Sequence, residues 1–155
     1  MEHKKRVLAK LAEVGAYFDE LEEMLPTEEE YLQNLPIRRA CEKTVELVIE
    51  AVIDVLAIIV AEEKLGFPAE EESLIAVLRK KGILSEKLSQ ELKQMKGFRN
   101  ILVHKYGEVD NEQVYEFLSA HLEDFNDFER EIKQYLQSLP VERKKSLRRR
   151  ATTTR

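Results

Sequence analysis

Apolar residues recur every three or four positions along most of the chain. Near its start they step by four, three, four, three and four through Val7, Leu11, Val14, Phe18, Leu21 and Leu25. That spacing places them on one face of an amphipathic helix over about residues 4–25, which Pro26 ends. No segment alternates with the period of two that strands require, so the pattern predicts an all-α protein.

Helix-start and helix-stop residues divide the rest of the chain. The start signals are Thr27 with Glu30 in a capping box, Pro36, Ser85 and Asp110, and the stop signals are Gly82 and Pro140. They predict a short helix after Thr27, a long helix over about 36–64, a short helix over about 71–82, and two further helices over about 85–106 and 110–140. The expected fold class is an up-and-down bundle of four to five helices.

The longest predicted helix is the candidate centre of the bundle. From Leu47 to Ala61 every residue is apolar except Glu50 and Asp54, so most sides of this helix must be buried. We predict that its own domain covers one side and a second subunit the other, because the stretch is too short and too charged to span a bilayer. With Glu46, the two acids form a stripe at i, i+4 and i+8. The stripe either forms ion pairs with neighbouring helices or brings Asp54 to a functional site.

Charge is distributed unevenly between a body and a tail. The net charge is −5, but residues 141–155 contain seven basic residues and one acid, so residues 1–140 carry −11. We predict a helical domain over 1–140 and a basic, flexible tail over 141–155. The tail either binds a nucleic-acid phosphate backbone with an affinity that falls as salt rises or serves only as a solubilising terminus.

Cysteine usage and the N-terminal sequence favour a cytoplasmic protein. Cys41 is the only cysteine, which excludes an internal disulfide and a cysteine-based zinc site and fits a reducing compartment. The first residues are charged and lead into an amphipathic pattern, not into the apolar core of a signal peptide. We therefore expect a cytoplasmic location and no association with membranes.

One stretch near residue 100 breaks the amphipathic pattern. It places a cation, an amide, an imidazole and a phenol within eight residues, at Arg99, Asn100, His104 and Tyr106. The apolar run over 101–103 is expected to anchor the segment in a core, while the polar groups reach a surface or a subunit interface. Polar clusters of this kind are candidate sites of chemistry.

The order Arg-x4-His-x-Tyr resembles the signature of HEPN-domain proteins, and specifically of the HepT-like toxins. The flanking residues that extend the resemblance are Arg39, Ala40, Glu42, Asp54, Pro68, Gly82, Lys96, Gly97, Phe98, Val109 and Asp110. The resemblance implies a homodimer in which the arginine and histidine of both subunits line one cleft. It also implies a metal-independent endoribonuclease that needs no cofactor and cleaves RNA, with tRNA as the leading substrate.

The chemistry of the motif agrees with cleavage of RNA by its own 2′-OH. His104 titrates near neutral pH and can remove or supply a proton, while Arg99 presents a planar cation to the phosphate. Asn100 lies four residues before His104 and is placed to orient the phosphate or the imidazole. Asp54 is expected to support the site from the central helix. The structural alternative is an arginine and a histidine that only offset the dipole at a helix end.

The positions of Arg99 and His104 on one helix raise a geometric problem. Five steps of about 100° separate the two side chains by ~140°, so one straight helix does not make them converge. Either the backbone loosens near Tyr106 and Gly107, or a partner subunit completes the site. The second alternative supplies two imidazoles, one as acid and one as base, and predicts that a monomer is inactive.

Tyr106 has a separate expected role. Resemblance to the HepT-like group implies that a minimal nucleotidyltransferase acts as antitoxin and transfers AMP to this phenol, so that a bulky anion blocks the site. The alternative is a helix-end aromatic residue that packs on the core. The rival to an enzyme is a non-catalytic helical partner protein that binds the nucleotidyltransferase and nucleotides.

Two further histidines lie outside the motif. His3 falls in the first residues of the chain, where we expect a loose terminus. His121 lies on the apolar side of the last predicted helix, where a packing role is expected. Neither is assigned to catalysis.

Overall fold

The fold consists of α-helices joined by short connections. The computed structural model describes residues 2–66, 71–104 and 110–140, and within them it contains seven helices and no strand. The helices are α1 (Glu2–Met24), α2 (Glu28–Gln33), α3 (Leu35–Glu62), α4 (Glu71–Lys80), α5 (Glu86–His104), α6 (Asn111–Ala120) and α7 (Glu123–Ser138). The predicted all-α fold class is confirmed. Pro68, Val109 and the predicted tail over 141–155 lie outside the described residues, so the domain boundary at residue 140 stays a prediction.

The long helices alternate in direction. His3 and Lys10 of α1 lie 3.9 and 3.4 Å from carboxylates of Glu62 and Asp54 on α3, respectively, so the two helices run in opposite directions. Contacts between α5 and α7 pair residues in the same antiparallel sense. The short helix α2 contacts α3 and α6, while α4 packs against α3 and α5. These contacts agree with the predicted up-and-down arrangement.

Capping residues fix the helix ends at the predicted positions. Thr27, Ser85 and Asp110 each accept a hydrogen bond from a backbone N–H in the first turn of the following helix, at 3.1 to 3.3 Å. Each bond satisfies a donor that has no partner within the helix itself. Gly82 follows α4 with a φ of 85°, in the left-handed region that favours glycine. The predictions of these start and stop residues are confirmed.

The structure differs from the sequence pattern near the end of the domain. The spacing predicts one helix over about 110–140, but α6 ends at Ala120 and α7 begins at Glu123. Between them His121 leaves the helical conformation, with φ −113° and ψ 9°, and its Nδ1 lies 3.2 Å from Asp124 Oδ2. Both helices place apolar residues in the same core. The three-four spacing therefore continues through the break and does not reveal it.

Helix α3 is the central element of the core. It contacts α1, α2, α4 and α5, and Val45, Val52 and Val55 along it are at most 1% exposed. Ala57 and Ala61 on its remaining side are exposed. The prediction that its own domain covers one side is therefore confirmed, whereas the second subunit stays a prediction. No helix in the described ranges has the length and apolar composition needed to cross a membrane.

The prediction of a loose terminus at His3 is wrong. The residue is only 8% exposed, and its Nε2 lies 3.2 Å from the hydroxyl of Tyr135. That hydroxyl donates a hydrogen bond to Glu63 Oε2 at 2.7 Å. These contacts tie the start of α1 to the ends of α3 and α7. The sequence carried a signal for this burial, because His3 lies four residues before the core residue Val7 on the same helical face.

Candidate functional site

Arg99 and Asn100 lie half-buried on the C-terminal half of α5. The guanidinium of Arg99 donates a hydrogen bond from Nη2 to Asn100 Oδ1 at 3.3 Å. The amide therefore restricts the orientation of the cation. His104 is the last residue of α5, and the description covers its backbone but not its imidazole. Tyr106 lies outside the described residues.

The backbone between the two motif positions is regular. Because α5 is helical through His104, the backbone positions of Arg99 and His104 lie ~140° apart around the helix axis. A loosened backbone is therefore excluded between these two residues. The part of the chain near Tyr106 and Gly107, where loosening was the first alternative, lies outside the description.

Arg99 lines a cavity of about 380 Å³ between α1, α3 and α5. The other charged or aromatic side chains around this cavity are Lys10, Glu13, Tyr17, Glu50 and Asp54. Lys10 lies 2.9 Å from Glu13 and 3.4 Å from Asp54, and hydrogen bonds to these two carboxylates raise its pKa. The cavity thus places two permanent cations, Lys10 and Arg99, among three acidic residues.

The acidic stripe on α3 is divided between ion pairs and this cavity. Glu46 pairs with Lys43 on the same helix at 2.9 Å, and Asp54 pairs with Lys10 of α1. Glu50 and Asp54 also line the cavity that contains Arg99. Asp54 therefore forms the ion pair with a neighbouring helix that the first alternative expected, and it also lines the cavity beside Arg99. Its part in a reaction stays a prediction.

Sequence reasoning missed the contribution of α1 to the Arg99 cavity. Lys10 and Tyr17 were not singled out, because both lie on an ordinary amphipathic helix. The available signal was Tyr17, an aromatic residue next to the core residue Phe18 but outside the apolar stripe. Only the packing of α1 against α3 brings these side chains toward Arg99, and that packing is not encoded in local spacing.

The prediction that residues 101–103 anchor the motif in a core is wrong in part. Leu102 packs against the core, but Ile101 is 58% exposed and Val103 is 46% exposed. Large exposed apolar side chains beside a polar motif are typical of an interaction surface. Within a single chain, the end of α5 therefore presents apolar surface to its surroundings.

A second cavity, also of about 380 Å³, lies between α5 and α6. Phe98 and Phe117 stack there with ring centroids 3.8 Å apart, and His121 continues the stack at 4.8 Å from Phe117. The packing role predicted for His121 agrees with this contact. Periodicity gave no signal of the cavity, because its walls belong to two helices that meet only in the folded chain.

Three carboxyl groups meet between α5 and α7. Oxygen atoms of Glu91, Asp124 and Asp127 lie within 4.8 Å of one another. Burial, and then the neighbouring Asp124 and Asp127, raise the pKa of Glu91 to about 8. Burial opposes ionisation of Asp127 as well, but Arg130, Glu91 and Lys87 hold its pKa below the usual range. Carboxylate oxygens of this kind suit hard cations. The negative charge of the cluster is already compensated by the proton on Glu91 and by the side chains of Lys87 and Arg130. We therefore assign no metal site.

The chain matches the family described as Ribonuclease HepT-like over residues 14–132. It is 27% identical over 122 residues to an mRNA nuclease HepT of Shewanella oneidensis, which covers 79% of this chain and 92% of the relative. It is 28% identical over 130 residues to a tRNA nuclease HepT of Aphanizomenon flos-aquae, covering 83% and 88%. The fold is similar to that of the tri-AMPylated HEPN toxin of Shewanella oneidensis in complex with MNT antitoxin, with a TM-score of 0.77, 26% identity, and coverage of 83% and 96%.

The family match extends from the middle of α1 into α7. It includes Arg99, His104 and Tyr106, together with most of the side chains around the Arg99 cavity. The resemblance and the enzyme class predicted from the sequence are thereby confirmed. The chain belongs to the ribonuclease HepT-like family.

Proposed function

We propose that this endoribonuclease cleaves RNA without a metal ion, with Arg99 and His104 as its catalytic residues. The substrate 2′-oxygen attacks the adjacent phosphorus and the bond to the 5′-oxygen breaks, leaving a 2′,3′-cyclic phosphate and a 5′-hydroxyl. One His104 imidazole takes the 2′ proton, and a protonated one donates to the leaving oxygen. Arg99 stabilises the charge that develops on the phosphate. The match to a ribonuclease family over residues 14–132 carries the proposal.

Asn100 and Asp54 act as positioning residues in this proposal. Asn100 accepts the hydrogen bond from Arg99 and so limits the orientations that the guanidinium can adopt. Asp54 holds Lys10 at the cavity that Arg99 also lines. The proposed effect of both is to lower the entropy cost of placing a cation against the phosphate.

A homodimer is proposed because one chain lacks the full set of groups. The reaction needs an acid and a base, whereas each chain supplies one motif histidine. The regular backbone of α5 keeps Arg99 and His104 of one chain apart, and the exposed Ile101 and Val103 offer apolar surface for a second subunit. A symmetric pairing supplies two imidazoles and two guanidinium groups to one cleft.

The proposed substrate is RNA, with tRNA as the leading choice, and the proposed antitoxin is a minimal nucleotidyltransferase. These assignments follow the similar proteins, which include an mRNA nuclease, a tRNA nuclease and a toxin solved with its antitoxin. We further propose that the antitoxin transfers AMP to Tyr106, which adds an anion near the site for the substrate phosphate. Mass measurement of the chain co-expressed with its antitoxin, beside Tyr106→Phe, tests this. An unmodified Tyr106 in a fully neutralised toxin would contradict it.

Cleavage of RNA by purified, unmodified protein tests the catalytic assignment. We expect Arg99→Ala and His104→Ala each to lower the rate by at least ~100-fold, the lower end of what general acid–base and oxyanion groups contribute. Arg130→Ala is the matched control, because it removes an exposed arginine from α7 that is paired only with Asp127 in the described residues. Equal background cleavage by all four proteins would favour the rival, a non-catalytic partner protein.

Mixing wild type with His104→Ala tests whether the site is shared between subunits. If one cleft needs the imidazole of both chains, a heterodimer of wild type and His104→Ala is inactive. Random exchange of equal amounts then leaves about a quarter of the activity of undiluted wild type, because about a quarter of the dimers keep both imidazoles. Activity that stays at about a half after verified exchange, as expected if each chain acts alone, would overturn the shared site.

A further inference from the structure

The cavity between α5 and α6, called here the α5–α6 groove, is not used by the proposed reaction. It is lined by Gln94, Gly97, Phe98, Ile101, Asp110, Gln113, Val114, Phe117 and His121. Its volume of about 380 Å³ falls within the range of small-molecule sites. Apolar walls with a few polar groups at the edge are the usual composition of such sites.

The aromatic rings of the groove form an incomplete stack. Phe98 and Phe117 are nearly parallel, with an interplanar angle of 8°, and His121 continues the stack at 26° to Phe117. The His121 side chain is still 37% exposed, and its Nδ1 lies 3.2 Å from Asp124. The stack therefore ends in a ring that is held in orientation and remains accessible, which is the arrangement on which a planar ligand can stack.

The polar groups of the groove favour a neutral ligand over a phosphate. Asp110 is the only acidic residue among its described lining residues, and its Oδ1 accepts hydrogen bonds from the N–H groups of Glu112 and Gln113. A carboxylate at the edge repels phosphate. The amides of Gln94 and Gln113 are exposed and carry both donors and acceptors, which match the edges of nucleobases.

The position of the groove links it to the proposed catalytic histidine. Gly97, Ile101 and His104 follow one another at i, i+4 and i+7, so they share one side of α5. Gly97 is exposed, and a Cβ added there would meet no atom within 4 Å. The missing side chain leaves the helix surface open beside the aromatic stack.

We propose that the α5–α6 groove binds one unpaired nucleobase of the RNA, close to the phosphate that is cleaved. The base stacks on His121, and the amides of Gln94 and Gln113 contact its edge. This inference deepens the proposed ribonuclease function and rests on it. It predicts that cleavage depends on the base at one position near the cleavage site.

Substitution of glycines provides a test that does not endanger the fold. Gly97→Leu fills the groove, and it removes a glycine from a helix interior, where glycine is unfavourable. Gly15→Leu is the matched control, because Gly15 also lies within a helix and also has no atom within 4 Å of an added Cβ. Both variants are placed in an inactive His104→Ala background for binding and in the wild-type background for cleavage.

Binding is measured with short single-stranded RNAs that span the cleavage site and carry one abasic nucleotide at successive positions. In the Gly15→Leu protein we expect one abasic position to weaken binding by at least ~5-fold, the size of a single stacking contact. In the Gly97→Leu protein binding of the intact RNA falls by a similar factor, and the abasic position has no further effect.

The outcomes separate the two proposals. If the wild-type protein neither binds nor cleaves RNA, both the ribonuclease function and the binding of a nucleobase in the groove would be refuted. If both glycine variants cleave RNA and respond in the same way to an abasic nucleotide at each position, the proposed base-binding role of the groove alone would be refuted. Loss of the dimer or of antitoxin binding in Gly97→Leu, with that profile unchanged, would assign the groove to a protein interface and would equally overturn the inference.

Discussion

Glu91 provides the sharpest test of the electrostatics of this fold. Its carboxyl group meets those of Asp124 and Asp127 between α5 and α7, and one of its oxygens is buried without a hydrogen-bond partner in the described residues. Burial, and then the two aspartates, raise its pKa from the ordinary 4.5 to about 8. The folded protein therefore keeps Glu91 protonated at neutral pH, and Glu91→Gln reproduces the neutral side chain with nearly the same shape.

The sign of the effect follows from proton binding. Between pH 4.5 and about 8 the folded protein holds the Glu91 proton while the unfolded chain has lost it. The raised pKa of Glu91 therefore contributes its full amount to the free energy of unfolding below pH 4.5. This contribution is lost as the pH rises through about 8. One pKa unit corresponds to ~1.4 kcal/mol, but Glu91 is only half-buried and lies near Lys87 and Arg130. After discounting for solvent screening we expect a loss of ~1–2 kcal/mol.

Urea unfolding followed by circular dichroism, at several values between about pH 5 and pH 9, measures this loss. We expect Glu91→Gln and wild type to agree within ~0.5 kcal/mol at the acidic end and the variant to be ~1–2 kcal/mol more stable at the alkaline end. Glu129→Gln, which removes a carboxylate paired only with Lys133 in the described residues, is the control and should show no such divergence. A constant gap between Glu91→Gln and wild type across the range would refute the reasoning.

Two further predictions concern buried groups outside the proposed site. Tyr135→Phe keeps the ring but removes the hydroxyl that contacts Glu63 and His3, so we expect a loss of ~1–3 kcal/mol and a melting temperature lower by several degrees in calorimetry. Cys41 is fully buried, and burial, with a contribution from Glu42, raises the pKa of its thiol to about 11. Iodoacetamide should therefore alkylate it slowly in the native protein and rapidly in urea, as intact mass would report; equal rates would contradict its burial.

Local signals in the sequence were sufficient for the helices and their ends. Thr27, Ser85 and Asp110 cap helices as predicted because a cap depends on residues only two or three positions away. Gly82 ends its segment for the same reason, since a positive φ is a property of a single residue. The motif at Arg99 and His104 was likewise readable, because its spacing lies within one helix.

Features that depend on contacts between distant parts of the chain were not predictable in this way. The burial of His3 requires Tyr135, which lies 132 residues away. The raised pKa of Glu91 follows from burial and from two aspartates on another helix, and the break at His121 is hidden because both flanking helices face one core. In each case the periodicity was correct, but the partner that determines the outcome lies on a different element.

The exposed end of α5 sets a limit on how the proposed dimer is formed. Full burial of an apolar side chain contributes ~1.5–3 kcal/mol, and Ile101 and Val103 are already about half-buried, with 58% and 46% of their surface still exposed. Four such side chains in a symmetric pair therefore contribute roughly 3–6 kcal/mol, while association itself costs ~4–15 kcal/mol. The end of α5 can orient two subunits but cannot hold them alone. We infer that the interface continues over α3, where Ala57 and Ala61 are exposed, so that the helix at the centre of each core is also covered by its partner.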